Sequence, residues 1–259
     1  MNNVPFIIAG LVFIFLGGVE KKNTQKTATA LKYESVAASM RVTDPCESAR
    51  AGVTKATRLA NHKVFIAALQ EIKAAFAKDS MEHSVSFATS ANGEISSSPM
   101  SKGNAMNSSV PALPGAIADL HNHPGNFPPA SGDLYGLIDL NTNYNSYDTR
   151  FAVTQNGTIY ALIITDAQAA TVFNHNFPRV APAYKGSSPT FPESLVDEFR
   201  ELKYLYNCND EMALAYILEK YNTGISLLKQ TGKGSFKKLR TVAQFKGEQL
   251  LFTAADCEL

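Results

Sequence analysis

The chain has no excess charge of either sign: 24 Lys and Arg stand against 23 Asp and Glu, a formal net charge of +1. No global field therefore argues for nucleic acid or for a strongly acidic partner. Cysteine is scarce too. The three residues, Cys46, Cys208 and Cys257, are odd in number, far apart and form no CxxC pair. That excludes a thiolate zinc cluster and a disulfide framework. It leaves either one bridge, with Cys208–Cys257 as the candidate pair, or three unpaired thiols. No internal repeat is present. What remains is an ordinary globular composition, 45% hydrophobic and 18% charged over 259 residues, enough for one catalytic domain and an accessory segment.

The longest apolar run opens the chain. Residues 4–19 (VPFIIAGLVFIFLGGV) are uncharged and are followed at once by Glu20, Lys21 and Lys22. The run falls short of the roughly 20 residues that a spanning helix needs and suits a signal-peptide core, although Met1-Asn2-Asn3 lacks Lys and Arg. An uncleaved anchor and a buried helix are the alternatives. The expected location is thus exported, periplasmic or extracellular, or membrane-anchored through this segment.

Residues 1–30 form the expected leader and 31–55 a polar linker marked by Asp44-Pro45. Phe65, Leu69, Ile72 and Phe76 then recur at helical spacing within a helical stretch from about 48 to 78. Glu82 to Thr89 alternates Ser with Val and Phe as a strand does, and Ala91-Asn92-Gly93 supplies a turn. Ala116 to Leu120 reads as a short buried strand, Leu134 to Leu140 as a helix. Arg150–Thr154 and Thr158–Thr165 flank Gln155-Asn156-Gly157 as a hairpin, and Asp166 caps a further short helix. A Pro/Ser/Gly-rich stretch over 178–193 closes a catalytic domain expected at 56–180. Stripes at Leu195, Phe199, Leu202 and at Met212, Ala215, Leu218 predict a helical accessory segment over 190–245. The predicted fold is α/β (α+β), a mixed sheet flanked by helices.

The chemistry lies in Asp119 to Asp133 (DLHNHPGNFPPASGD). His121 and His123, two apart on an extended chain, project to the same side because side chains alternate along a strand. Asp133 can return to them if the intervening Gly125, Pro128, Pro129 and Gly132 fold the loop back. Two imidazoles and one carboxylate leave a tetrahedral Zn²⁺ one open position for water, the catalytic pattern, and bound zinc lowers that water's pKa from about 15.7 to about 7.

His121-x-His123-Pro124 followed by Ser131 and Asp133 resembles the HxHP…S…D signature of the JAMM (MPN/JAB) zinc metalloproteases over about residues 60–175; His-Asn-His-Pro is similar to its bacterial branches. The resemblance implies an MPN-like fold and a zinc-dependent peptidase or isopeptidase acting on a peptide or protein. Its metal would be held by His121, His123 and Asp133. It implies an oxyanion-stabilising role for Ser131 and a general base upstream. Glu82, at a helix-to-strand junction, is the residue for that base, with Glu94 on the return strand as a lesser candidate. The family has two residues between its Ser and its Asp, whereas here only Gly132 intervenes. Either Ser131 or Ala130 then holds the serine position, and Asp133 is the ligand in both alignments. The alternative function is an MPN-fold binding module that keeps the metal without useful turnover. His83 faces away from Glu82 and reads as structural, as do His62 and His175. Lys229, Lys233, Lys237, Lys238 and Arg240 read as a solvated basic face, and no nucleic-acid partner is expected.

Overall fold

The computed structural model describes residues 44–182 and 188–257. The exported or membrane-anchored location is corrected here: among the described residues no helix is long and apolar enough to cross a membrane. The apolar run 4–19 and the expected leader lie outside the described residues.

Asp44 caps the first helix by accepting from the Cys46 amide at 3.0 Å. Helix α1 (Pro45–Ala60) thus occupies part of the stretch expected as linker. Asn61 and His62 break the helical period, and His62 Nδ1 accepts from the Val64 amide at 3.3 Å to begin α2 (Lys63–Asp79). The strands that follow are β1 (His83–Thr89), β2 (Ile95–Ser97), β3 (Ser101–Lys102), β4 (Ala116–Asn122), β5 (Thr149–Val153) and β6 (Ile159–Ile164). Helix α3 (Ser131–Asn143) crosses from β4 to β5, and α4 (Ala167–Asn176) follows β6 under the predicted Asp166 cap. Helices α5 (Glu193–Leu205) and α6 (Asp210–Lys220) lead into β7 (Ile225–Gln230), β8 (Phe236–Lys246) and β9 (Gln249–Asp256).

The fold is mixed α/β, as expected. Nine strands form one sheet in the order β2-β1-β4-β5-β6-β7-β8-β9, with β3 beside β1. β4 and β5 run parallel, which their crossover through α3 requires, and the other described pairs are antiparallel. The C-terminal segment differs from the helical tail expected over 190–245. Two helices do form there, but Leu227 and Leu228 of β7 pair with β6, so the sheet continues through the segment.

Both sheet faces are covered. Along β6, Ile159, Ala161 and Ile163 pack with Phe65 and Ile72 of α2, while Tyr160, Leu162 and Ile164 pack with Leu134, Leu137 and Leu214 on the other face. This period of two also orients β4: Ala118 and Leu120 point to the α2 side, so His121 points to the α3 side. Cys46 and Cys257 form the disulfide and Cys208 is a buried thiol, correcting the Cys208–Cys257 pairing. Cys208 packs among Leu202, Leu214 and their neighbours in the helical core, whereas Cys46 and Cys257 have Cα atoms 5.4 Å apart.

Candidate metal centre

Strand β4 delivers the two histidines from the middle of the sheet. His121 lies beside Ser84 on β1 and Ala152 on β5, small residues that leave room for a buried imidazole. The His123 amide continues the pairing by donating to Val153 O at 2.9 Å. The 124–130 loop then folds back as its glycine and prolines predict, and α3 brings Asp133 to both rings. His121 Nε2 lies 3.0 Å from His123 Nε2 and 3.0 Å from Asp133 Oδ1, and His123 Nε2 lies 3.3 Å from Asp133 Oδ2. Ligand atoms on a tetrahedral ion with bonds of about 2.0–2.1 Å stand roughly 3.3 Å apart, so the trio has the spacing such an ion needs. The three residues form a group that could hold a metal ion.

The outer nitrogens are also prepared. His123 Nδ1 lies 3.0 Å from Phe127 O and donates to it, which leaves Nε2 as the lone-pair nitrogen facing the trio. His121 Nδ1 faces Asp119 Oδ2 across 3.5 Å, an ion-pair distance at which neither atom makes a hydrogen bond. Asp119 is fully buried and accepts from Tyr147 OH at 2.5 Å. The buried Arg150 reaches both acids, with Nε 3.6 Å from Asp119 Oδ2 and 3.4 Å from Asp133 Oδ1. Gly136 on α3 makes room for it, because a Cβ there would stand 2.3 Å from Arg150 Nη1. Sequence reasoning missed Asp119, Tyr147 and Arg150. The available signal was a charged residue inside each of two apolar strand runs, Ala-Ile-Ala-Asp-Leu and Thr-Arg-Phe-Ala-Val, since a charge in a doubly covered strand needs a buried partner.

Glu82 is buried just ahead of β1, and its carboxyl lies in the field of His121, His123, Asp133 and Arg150. Its backbone is held twice, the Glu82 amide donating to Asn104 O at 2.8 Å and its carbonyl accepting from the Gly103 amide at 2.8 Å. Asn122, the residue between the two histidines, fastens both its neighbours. Asn122 Oδ1 accepts from the His83 amide at 2.7 Å and Nδ2 donates to Met81 O at 3.0 Å. One strand segment therefore presents the histidines on one face and grips the Glu82 segment with the other. Sequence reading gave Asn122 no role.

Ser131 opens α3, half-buried at its first turn. Ala130, at the cap position, has no side-chain oxygen; its amide donates to Asp133 Oδ2 at 2.8 Å, so the Asp133 carboxylate also closes the helix start. Gly132 is needed between them, since a Cβ there would stand 2.4 Å from Ser188 Cβ. Glu94 is exposed at the β1–β2 turn, apart from this group. His83 is buried against Met81 O at 3.0 Å and Asp79 at 3.4 Å, His62 caps α2, and His175 is exposed in the last turn of α4. The basic cluster is not wholly a solvated face. Lys229 pairs with Glu211 at 2.8 Å, Arg240 with Glu219 at 3.0 Å, and the buried Lys238 with Glu219 at 3.0 Å.

Burial and charge set the protonation of this group. Burial works against the His121 imidazolium, but Asp133 and Asp119 outweigh it and lift the pKa to about 9. Burial likewise opposes the Asp133 carboxylate, yet His121 and His123 hold its pKa well below the ordinary value. Glu82 moves the other way: burial raises its pKa, with the cationic neighbours resisting.

No protein-family model, curated protein or solved structure matches this chain, so the candidate metal centre stands on its own geometry.

Proposed function

We propose that this chain is a zinc-dependent hydrolase of the JAMM (MPN) type, cleaving a peptide or isopeptide bond in a peptide or protein substrate. The observation that carries this reading is the convergence of His121, His123 and Asp133 from a strand and a helix, with their ligand atoms within 4.8 Å of one another. A buried glutamate shares their electrostatic field. Two neutral nitrogens and one carboxylate suit zinc and leave a corner for solvent. Zinc bound there supplies Lewis acidity, polarising a carbonyl and lowering the pKa of water to about 7.

The chain's own groups perform the proton transfers. Glu82, its carboxyl pushed above the ordinary glutamate value by burial, takes a proton from the attacking water and returns it to the leaving amine. Asn122 holds the Glu82 segment in place through Met81 and His83. Ser131, at the first turn of α3, donates to the oxygen that becomes negative. The Phe127 carbonyl keeps the His123 imidazole in its binding orientation, and the Asp119 carboxylate sets the charge beside His121 Nδ1.

The second reading, a binding module that keeps the metal without turnover, is favoured by Ala130 at the α3 cap, where no hydroxyl is present. Purified zinc-loaded chain and its Glu82→Gln variant, assayed on a peptide library, separate the two. Hydrolysis by the unaltered chain is expected, with an acid limb above the ordinary glutamate pKa and a loss of about 10²–10⁴-fold in the variant. Equal inactivity of both at full zinc occupancy would favour the binding module.

A further inference from the structure

The metal group meets solvent on one side. The His121 side chain is 2% exposed, whereas His123 and Asp133 retain 11% and 12%. Both more exposed ligands border the 124–130 loop, whose residues Pro124, Gly125, Asn126, Phe127, Pro128, Pro129 and Ala130 include no ionisable side chain. Within it Pro128 and Pro129 are buried, while Phe127 is 64% exposed.

Phe127 is held firmly for so exposed a residue. Its carbonyl accepts from the ligand His123, 3.0 Å away. Its ring lies over Gly125, where a Cβ would stand 2.6 Å from Phe127 Cε2. The preceding residues are tied to the β5–β6 turn, with the Gln155 amide donating to Gly125 O at 3.0 Å and the Asn156 amide to Asn126 Oδ1 at 2.8 Å. An aromatic ring fixed in this way gives up little freedom when covered, so most of the gain from burying it goes into binding.

We infer that Phe127 is the substrate-facing platform of the metal centre, and that the substrate places an apolar or aromatic side chain beside the bond to be cleaved. This rests on the hydrolase reading above. An acidic or basic side chain would meet no partner from the loop, while an apolar one covers the ring and loses its own water.

Calorimetric titration tests it. Two peptides identical except for Phe or Gly beside the scissile bond are titrated into the zinc-loaded Glu82→Gln chain, in which the metal ligands are intact. The Phe peptide is expected to bind roughly tenfold or more tightly, and Phe127→Ala to narrow the difference to within about twofold. Phe245→Ala, at an exposed ring on β8, is expected to leave it unchanged. Should Phe127→Ala not fold, Gly125→Ala keeps the ring but displaces it with the new methyl and is expected to reduce the preference too. Equal binding of the two peptides, or a preference untouched by both loop variants, overturns the inference. Turnover by the unaltered chain is scored separately. Hydrolysis without a Phe preference refutes the inference alone, whereas a Phe preference without hydrolysis refutes the hydrolase reading and keeps the apolar-peptide site.

Discussion

Replacing Gly136 with alanine tests how tightly the charges around the metal centre are built. In an ordinary helix interior this change stabilises by about 0.5–1 kcal/mol, because glycine has more backbone freedom to lose. Here the added methyl would stand 2.3 Å from Arg150 Nη1 and 3.4 Å from Cζ, so the guanidinium must move by about an ångström in a buried site. Arg150 Nε is already 3.4 Å from Asp133 and 3.6 Å from Asp119. Its displacement leaves the buried Asp119 and the half-buried Asp133 carboxylate short of their cation. Crowding alone costs about 1–3 kcal/mol, and breaking a buried pair outright about 3–5 kcal/mol. A partial loss of that pair outweighs the helix gain, and the net expectation is destabilisation by roughly 1–3 kcal/mol. Metal affinity falls about 10–100-fold because Asp119 and Asp133 both lose orientation. Urea unfolding of the metal-free chain and calorimetric zinc titration read the two effects. A variant more stable than the parent, with unchanged zinc affinity, would refute the assigned role of Arg150.

Two further outcomes follow from the same group. His121 in the metal-free chain has its pKa raised to about 9. Its proton therefore stabilises the metal-free fold fully below the unfolded value of about 6.5, and that contribution is lost as pH rises through about 9. Zinc must displace the same proton, so affinity should climb roughly tenfold per pH unit across this window and level off above it. Titrations at a series of pH values check this, and a flat profile contradicts it. Asn122→Ala removes the grip on Met81 and His83 and leaves a buried amide and a carbonyl short of partners, costing about 1–3 kcal/mol each. Zinc affinity should change little while turnover falls about tenfold or more, since Glu82 is loosened and the ligands are not. An unchanged rate would remove Asn122 from the positioning role.

The parts of this centre that were legible in the sequence are those set by local spacing. His121 and His123 share a face because the strand alternates, and the glycines and prolines of 125–132 announce a loop that returns. The β5–β6 hairpin showed in Gln155-Asn156-Gly157, and the helix-to-strand junction at Glu82 showed in the change of period there. The supporting residues are joined only by tertiary contact: Tyr147 meets Asp119 across 28 positions and Asn122 meets Met81 across 41. No period or turn signal links such pairs. β7–β9 escaped for a related reason. Lys229 lies in β7, whose partner β6 stands across α4, α5 and α6, and Lys237, Lys238 and Arg240 lie in the neighbouring β8; in isolation these residues resemble a solvated face. The Cys46–Cys257 bridge spans 211 positions and likewise has no local trace.

Metal analysis of the purified chain after incubation with zinc at neutral pH, with His123→Ala and Asp133→Ala in parallel, bears most directly on the metal centre. About one zinc per chain is expected in the parent, and under about a tenth of that in either variant, with both variants still folded by circular dichroism. A parent that takes up no zinc, or variants that retain it, would contradict the account.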